Sequence, residues 1–396
     1  MSNSILTPTA VTREILRVLH QKLNFVGSIE RQYDDSFAKS GAKIGTTLKI
    51  RKPNQYTVRT GKTIQAQDTA EESVTLTVAT QKGVDMNFSS AELTMELDDF
   101  SDRIIKPAVS VLSANIEYDA MSMALDVGQS VWNGGSALTL AKVLAGKKKL
   151  NDSLAPMNDR TASLQTQESV DLVDSLKGLF QSSSNISQQY REGTMGYTAG
   201  FEFVENTLWP AFTRGAANTA YVTNTSTEIT SGSTSITVAS GSGAGSIGDV
   251  FTIQDVYAVH PETKVSTGVL FQFVVATAFT SGATTIVVGE APVTSGAKQN
   301  VSLVSAGASK DLTFFGTAST AVTTSLLYQK EAFAFATADL ELPRGVHFAA
   351  REMIDGLSLR IVRAYDVNND NFPCRLDILY GYETLRPQLA CRLHNN

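Results

Sequence analysis

Three stretches of this sequence come close to spacings that bind phosphate or metal, and each departs from its pattern at a position the chemistry needs. Gly243, Gly245 and Gly248 are spaced as G-x-G-x-x-G, a turn whose backbone N–H groups hold a pyrophosphate when a helix follows. Here the run that follows is DVFTIQ, which has the character of a strand. Gly61-Lys62-Thr63 matches the close of a phosphate-binding loop, but the opening glycine would stand at position 56, which is Tyr56. Asp366, Asn368 and Asp370 start like a calcium loop; the turn position is Asn371 instead of glycine and the closing position is Asp377 instead of a bidentate glutamate. A loop between strands is the reading that remains. The histidines, His20, His260, His347 and His394, are scattered and form no H-E-x-x-H pair, and no G-x-S-x-G elbow precedes a helix. Cys374 and Cys391 are too few for a disulfide framework or for a zinc site of their own, and read as reduced and partly buried. Lys147-Lys148-Lys149 reads as a basic run in a solvated loop. No catalytic residue, cofactor site or metal site emerges, which shifts the weight from enzyme to structural protein.

The elements that would position any site are legible in outline. The chain has 396 residues, 42% hydrophobic and 18% charged, a globular composition long enough for two or three domains. A net charge of -6 argues against a reader of nucleic acid, which needs clustered Lys and Arg against phosphate. No apolar run is long enough to span a membrane and the N-terminus lacks a secretory pattern, so synthesis in a cytoplasm is expected. Val11, Ile15, Val18 and Leu19 predict a helix over 9–24, with Pro8 near its first turn. Leu48 and Ile50, then Val74, Leu76 and Val78, alternate with polar residues and predict two strands joined by the polar tip TGKTIQAQDTAEE. The outgoing side of this hairpin carries Lys49, Arg51, Lys52, Arg59 and Lys62; the returning side carries Asp68, Glu71 and Glu72.

Ser89 and Glu92 have capping-box spacing. A long helical pattern follows through Phe100, Ile104, Ala108, Val111, Leu112, Ile116, Met123 and Val127, ended by Asn133-Gly134-Gly135. Glu92, Glu96, Asp98, Asp99 and Asp102 crowd its start, where carboxylates favour the helix dipole, and Pro107 predicts a kink or restart. A second amphipathic helix is predicted over 167–182. From 218 to 308 the composition turns to Thr, Ser and Gly: TSGSTSITV at Thr230 nearly repeats as TSGATTIVV at Thr280, each a Ser-Gly turn feeding a strand. Between them, strands near 249–259 and 268–278 turn at His260-Pro261. This reads as a β-insert that the host chain enters and leaves through Ser/Thr/Gly linkers, able to fold on its own.

In this order of elements, with ILTPTAVTREILRVLHQKL at the start, GDVFTIQDVYAVHPETKVSTGVLFQFVV in the middle and ILYGYETLRPQLACRL near the end, the chain resembles the major capsid proteins of tailed double-stranded DNA phages, in particular the P-22-type coat proteins. The resemblance implies an α+β fold of the HK-97 capsid type: an N-terminal arm over 1–46, an E-loop hairpin over 47–88, and a spine helix within 98–132. The spine and the first parts of the peripheral and axial domains would occupy 89–217, an inserted antiparallel β-barrel 218–308, and the return strands of those domains 309–396. The function it implies is self-assembly into the icosahedral shell around a phage genome, through a scaffold-assisted procapsid that matures on DNA packaging. The implied partners are the protein itself in hexamers and pentamers, a scaffolding protein, a portal protein, and DNA enclosed without sequence-specific binding; a decoration protein is left open. No cofactor, membrane or catalysis is implied, and the expected location is the virion capsid, after synthesis in the bacterial cytoplasm. The basic outgoing strand, the acidic returning side and the acidic spine start, thirteen residues from Lys49 to Asp102, are the expected inter-subunit contacts. Gly241 to Gly248 is short and uncharged where the family tends to carry a longer loop reaching the adjacent capsomer. A cargo nanocompartment shell and a secreted or virion-surface adhesin are alternatives; the β-insert weighs against the first and the helical first half against the second.

Overall fold

The computed structural model describes residues 12–15, 19, 23–33, 47–67, 71–89, 106–176, 196–218, 220–224, 229–239, 241–303, 309–343, 345–346, 348–354, 357–367 and 371–395. They divide into two compact units, each assembled from three separate stretches of chain.

The first unit is built on a six-stranded sheet whose hub is the long strand Asn371–Thr384. Thr80–Ser89 pairs antiparallel along it from Asn371 to Tyr380, Leu357–Arg363 pairs with residues 374 to 377, and Phe333–Ala338 with residues 379 to 384. Glu30–Tyr33 adds a parallel edge to Phe333–Ala338. Phe333–Ala338, FAFATA, is buried along its whole length; small residues on one face let Leu76, Val78 and Leu379 close over it. Helix Lys106–Met121 turns Val109, Leu112, Ile116 and Ala120 inward at helical spacing. Pro107 sits in the first turn of that described helix, where its missing N–H costs nothing. The helical pattern read through Val127 ends earlier: a 3-10 turn covers Ser122–Asp126, and Ser130–Trp132 is a strand. Val127 is buried all the same, so its apolarity is real and only its period misleads. The predicted capping box is corrected at Ser89, which closes a ten-residue strand; Glu92 lies outside the described residues. Of the N-terminal helix, Thr12 to Ile15 and Leu19 are helical, and Phe25–Ser28 adds a short second turn.

The second unit holds a seven-stranded sheet in which Ala390–Asn395 lies between Ser130–Trp132, parallel, and Ala321–Gln329, antiparallel. Arg160–Leu164 and Phe201–Glu205 continue the sheet beyond Ala321–Gln329. Helix Thr166–Leu176 matches the start of the second predicted helix, whose remainder is outside the described residues. Helix Leu140–Asp152 corrects the reading of Lys147-Lys148-Lys149 as a solvated loop. Its Val143 and Leu150 are buried, and Lys149 is drawn in with them, its Nζ 2.5 Å from Gln272 Oε1. Three lysines in a row hide a helical period that only Val143, Gly146 and Leu150 carry.

The Thr/Ser/Gly stretch forms two antiparallel sheets over one core. Val222–Thr223, Ser235–Ala239 and Thr285–Val287 make the first; Val250–Val259 pairs with Ser266–Val274, Val301–Leu303 and Leu312–Phe314 in the second. The two near-repeats pair with each other: Ile236 faces Ile286 across the ladder, and both are buried. Their turns are made by Gly232 and Gly282 at φ 82° and 77°, a backbone only glycine adopts without strain. Tyr221, Phe251, Phe273 and Phe314 fill the core, with Phe251 stacked on Phe273 at 5.5 Å. His260 stands in the predicted turn, its Nδ1 accepting the N–H groups of Glu262 and Thr263 at 3.3 Å.

Candidate assembly surface

The hairpin read as a charged arm begins as the paired strands Thr47–Arg51 and Ser73–Thr77. Their inward residues Leu48, Ile50 and Val74 join the core around Leu76. Beyond Lys52, among the described residues of the arm, no large apolar side chain is covered: Tyr56, Val58 and Ile64 are 57%, 94% and 82% exposed. A polar zipper holds the hairpin there, with Gln67 Oε1 accepting Thr57 N–H at 2.9 Å and Gln67 Nε2 donating to Thr57 O at 2.6 Å. Such a two-stranded ribbon has no core of its own. Three large apolar side chains therefore stand in water on one ribbon.

The sequence-derived contact residues divide accordingly. Lys49, Arg51, Arg59, Lys62, Glu71 and Glu72 are exposed, and Lys52 is half-buried. Arg51 Nη1 pairs with Glu71 Oε2 at 3.0 Å within the hairpin, and Arg59 turns back onto the carbonyls of Gly61 and Thr63. Glu72 is paired with Lys298, a residue that nothing in the sequence connects to the arm because 226 positions separate them. Asp68, Glu92, Glu96, Asp98, Asp99 and Asp102 lie outside the described residues.

The β-region is held in the second unit by buried groups that sequence reasoning also missed. Where the chain enters, Arg214 donates to Gly215 O at 2.8 Å, Ala217 O at 2.7 Å and Phe315 O at 3.3 Å, binding the incoming and outgoing segments together. Asp249 Oδ1 accepts Gly215 N–H at 3.0 Å and Asp249 Oδ2 accepts Ser246 N–H at 2.9 Å. Arg392, fully buried in the strand next to the edge strand Ser130–Trp132 of the seven-stranded sheet, reaches across to donate from Nη2 to Gly248 O at 2.9 Å. Burial pushes the Arg392 guanidinium down to about 10, while the carboxylates of Asp126 and Asp249 pull the other way. Burial raises the Asp249 carboxyl against its hydrogen bonds and against Arg214 and Arg392. Gln272 adds a second tie: its side chain accepts Ser130 N–H at 2.9 Å and donates to Ser130 O at 3.1 Å, as a neighbouring strand would. The bland flanks are therefore joined to their surroundings and are not free linkers.

The same region disposes of the dinucleotide spacing. A Cβ on Gly245 would stand 2.1 Å from the Phe279 ring, and one on Gly243 would stand 2.0 Å from Ala216 O. These glycines admit close packing of aromatic and backbone groups, which leaves no room for a phosphate. No metal-ligating cluster occurs among the described residues, and Cys374 and Cys391 are both buried thiols, pushed up by burial to about 11 and about 12.

No curated protein matches the chain in sequence. Among solved structures, a chain from Mycobacterium phage Che8 shares 12% identity, covering 94% of this chain and 90% of its own, with a TM-score of 0.47. The mature capsid of bacteriophage PhiM1 shares 10% identity over 93% of this chain and 86% of its own, at 0.45. A virus-like particle from Pyrococcus furiosus shares 6% over 97% and 98%, at 0.39. The sequence model of the P22 coat protein, gene protein 5, matches residues 4–392, nearly the whole chain; the protein belongs to that family, and its function is that of a phage coat protein that forms the capsid shell.

Proposed function

We propose that the protein is an HK-97-type capsid subunit in which 1–46 form the N-terminal arm, 47–88 the E-loop and 98–132 contain the spine. On this reading the β-region of 218–308 is an inserted barrel, and the remaining segments, 133–217 and 309–396, build the peripheral and axial domains. Subunits associate as hexamers and pentamers through the arm, assemble around a scaffolding protein, incorporate a portal and mature when DNA enters, the domains moving as near-rigid bodies. Assembly takes place in the bacterial cytoplasm. A structural, non-enzymatic role follows from membership of a coat-protein family.

The observation that carries the arm's part is the exposure of Tyr56, Val58 and Ile64 on a hairpin without a core. A neighbouring subunit covering these side chains gains their apolar burial, roughly 1.5–3 kcal/mol for each one fully buried, while the flanking charges set register more than affinity. Net acidity suits an inner wall past which packaged DNA slides.

Electron microscopy of the protein expressed alone and with its neighbouring candidate scaffold gene tests the reading. Closed shells, uniform in diameter when the scaffold is present, are expected. Monomers or small oligomers under both conditions would sink it.

A further inference from the structure

The arm base is gripped at one place. Lys52 N–H donates to Glu72 O at 2.7 Å and closes the hairpin where its paired strands give way to the exposed ribbon. From that rung one side of the arm meets an opposite charge on a loop of the β-region, residues 290–300, and the other side has an opposite charge of the same loop at longer range. Glu72 is ion-paired with Lys298, and Lys52 lies near enough to Glu290 to draw its carboxyl down against the burial that raises it. The charges alternate: cation and anion on the arm, Lys52 and Glu72, oppose anion and cation on the loop, Glu290 and Lys298.

The loop is built to hold this pattern still. Asn300 staples it from inside, its Oδ1 accepting Val293 N–H at 2.7 Å while its Nδ2 donates to Glu290 Oε1 at 3.1 Å and Ala291 O at 3.0 Å. Lys264 Nζ, from the turn after Val250–Val259, donates to Gln299 O at 3.3 Å. Pro292 O accepts Gly232 N–H at 2.8 Å, so the loop is also tied to the first repeat turn. Beyond the rung, the arm's hydrogen bonds at Thr57, Gln67 and Arg59 are all to itself.

We propose that the 290–300 loop is an intrachain bracket that orders the base of the arm in the free subunit, so that the β-region fixes the direction in which the arm leaves the chain. A lone exposed ion pair orders little. Here the pair acts at the rung itself, on the strand whose carbonyl accepts Lys52 N–H, and Glu290 on the same loop attracts the Lys52 charge on the other strand at longer range, so sliding of the hairpin base works against both. The consequence for shell geometry rests on the reading of the arm as an inter-subunit contact; the bracket itself does not.

Hydrogen exchange on the unassembled full-length protein tests it, reading the Lys52 amide. Lys298→Glu should speed that exchange roughly three- to tenfold, the range set by losing one favourable surface pair and gaining a repulsive one. The double exchange Lys298→Glu with Glu72→Lys should restore the native rate, and the melting temperature should stay constant across the series because both side chains are exposed. An unchanged rate in Lys298→Glu, or a double variant as fast as the single, would overturn the bracket. Failure of the native protein to form shells would instead overturn the proposed function and leave the exchange result standing.

Discussion

The arm and the β-region solve the same problem, keeping an antiparallel ladder in place, by opposite means. The β-region closes two sheets over an aromatic core and then fixes itself with charges taken out of water: Arg214, Asp249 and Arg392 are all buried. The arm leaves its apolar residues and its charges in water, with a polar zipper at Thr57 and Gln67 and ion pairs at its base. Buried charged hydrogen bonds are costly to break singly, whereas exposed pairs each contribute about 0 to 1 kcal/mol. The difference teaches that the β-region covers its apolar residues with its own core, whereas the described part of the arm leaves Tyr56, Val58 and Ile64 in water.

The largest expected effect comes from the buried node. Arg392→Ala leaves Gly248 O without its donor, takes from Asp249 one of its two neighbouring cations and opens a cavity, and should cost about 3–5 kcal/mol, read as a fall in thermal or denaturant midpoint. Arg392→Met, which keeps most of the volume, should lose less; equal losses would show that charge and not packing governs the node. Gly245→Ala comes next, at about 1–3 kcal/mol for forcing Phe279 off its position. A native-like melt in that variant would break the account of the glycine-rich turn as a packing device.

A pH series separates buried from exposed carboxyls. Burial raises Glu117, whose oxygens accept the N–H groups of Phe25 and Val26, to about 7, and raises Glu168 to about 7. Both are protonated in either state below about 4.5. As pH rises from there to 7 the unfolded chain gives up these protons first, so stability falls through that window and levels off above it. The loss should be roughly 3 kcal/mol per group, and Glu168→Gln should flatten its share of the slope. A melting temperature that climbs over the same window would contradict the assignment. The smallest effect on the subunit belongs to the arm: Val58→Ser should change its stability by less than about 0.5 kcal/mol while lowering the yield of shells. A variant that destabilises the free subunit would place Val58 in a covered site and break the contrast.

Legibility in the sequence followed the range of the interactions. The hairpin, the His260 turn, the Ser-Gly turns and the strands on either side of residue 260 are local matters of alternation and turn chemistry, and they stand where expected within a few residues. Helix Leu140–Asp152 was illegible because its lysines straddle the buried face, one of them entering it. The partners of Glu72 and Gly248 could not be found at all: Lys298 and Arg392 are ordinary cations in sequence, and only the closing of the sheets gives them their roles. What the spacing of glycines suggested as a phosphate turn was a packing requirement of the Ala216 backbone and the Phe279 ring, a demand that no local pattern announces.

The position of Ala390–Asn395 inside the seven-stranded sheet has a consequence for the order of synthesis. Ser130–Trp132 and Ala321–Gln329 cannot be bridged until the ribosome has passed residue 390, so the growing chain must wait with two strand edges open. A message cut short upstream of residue 390 yields a chain without the strand that joins Ser130–Trp132 to Ala321–Gln329, so both edges stay open to other partners.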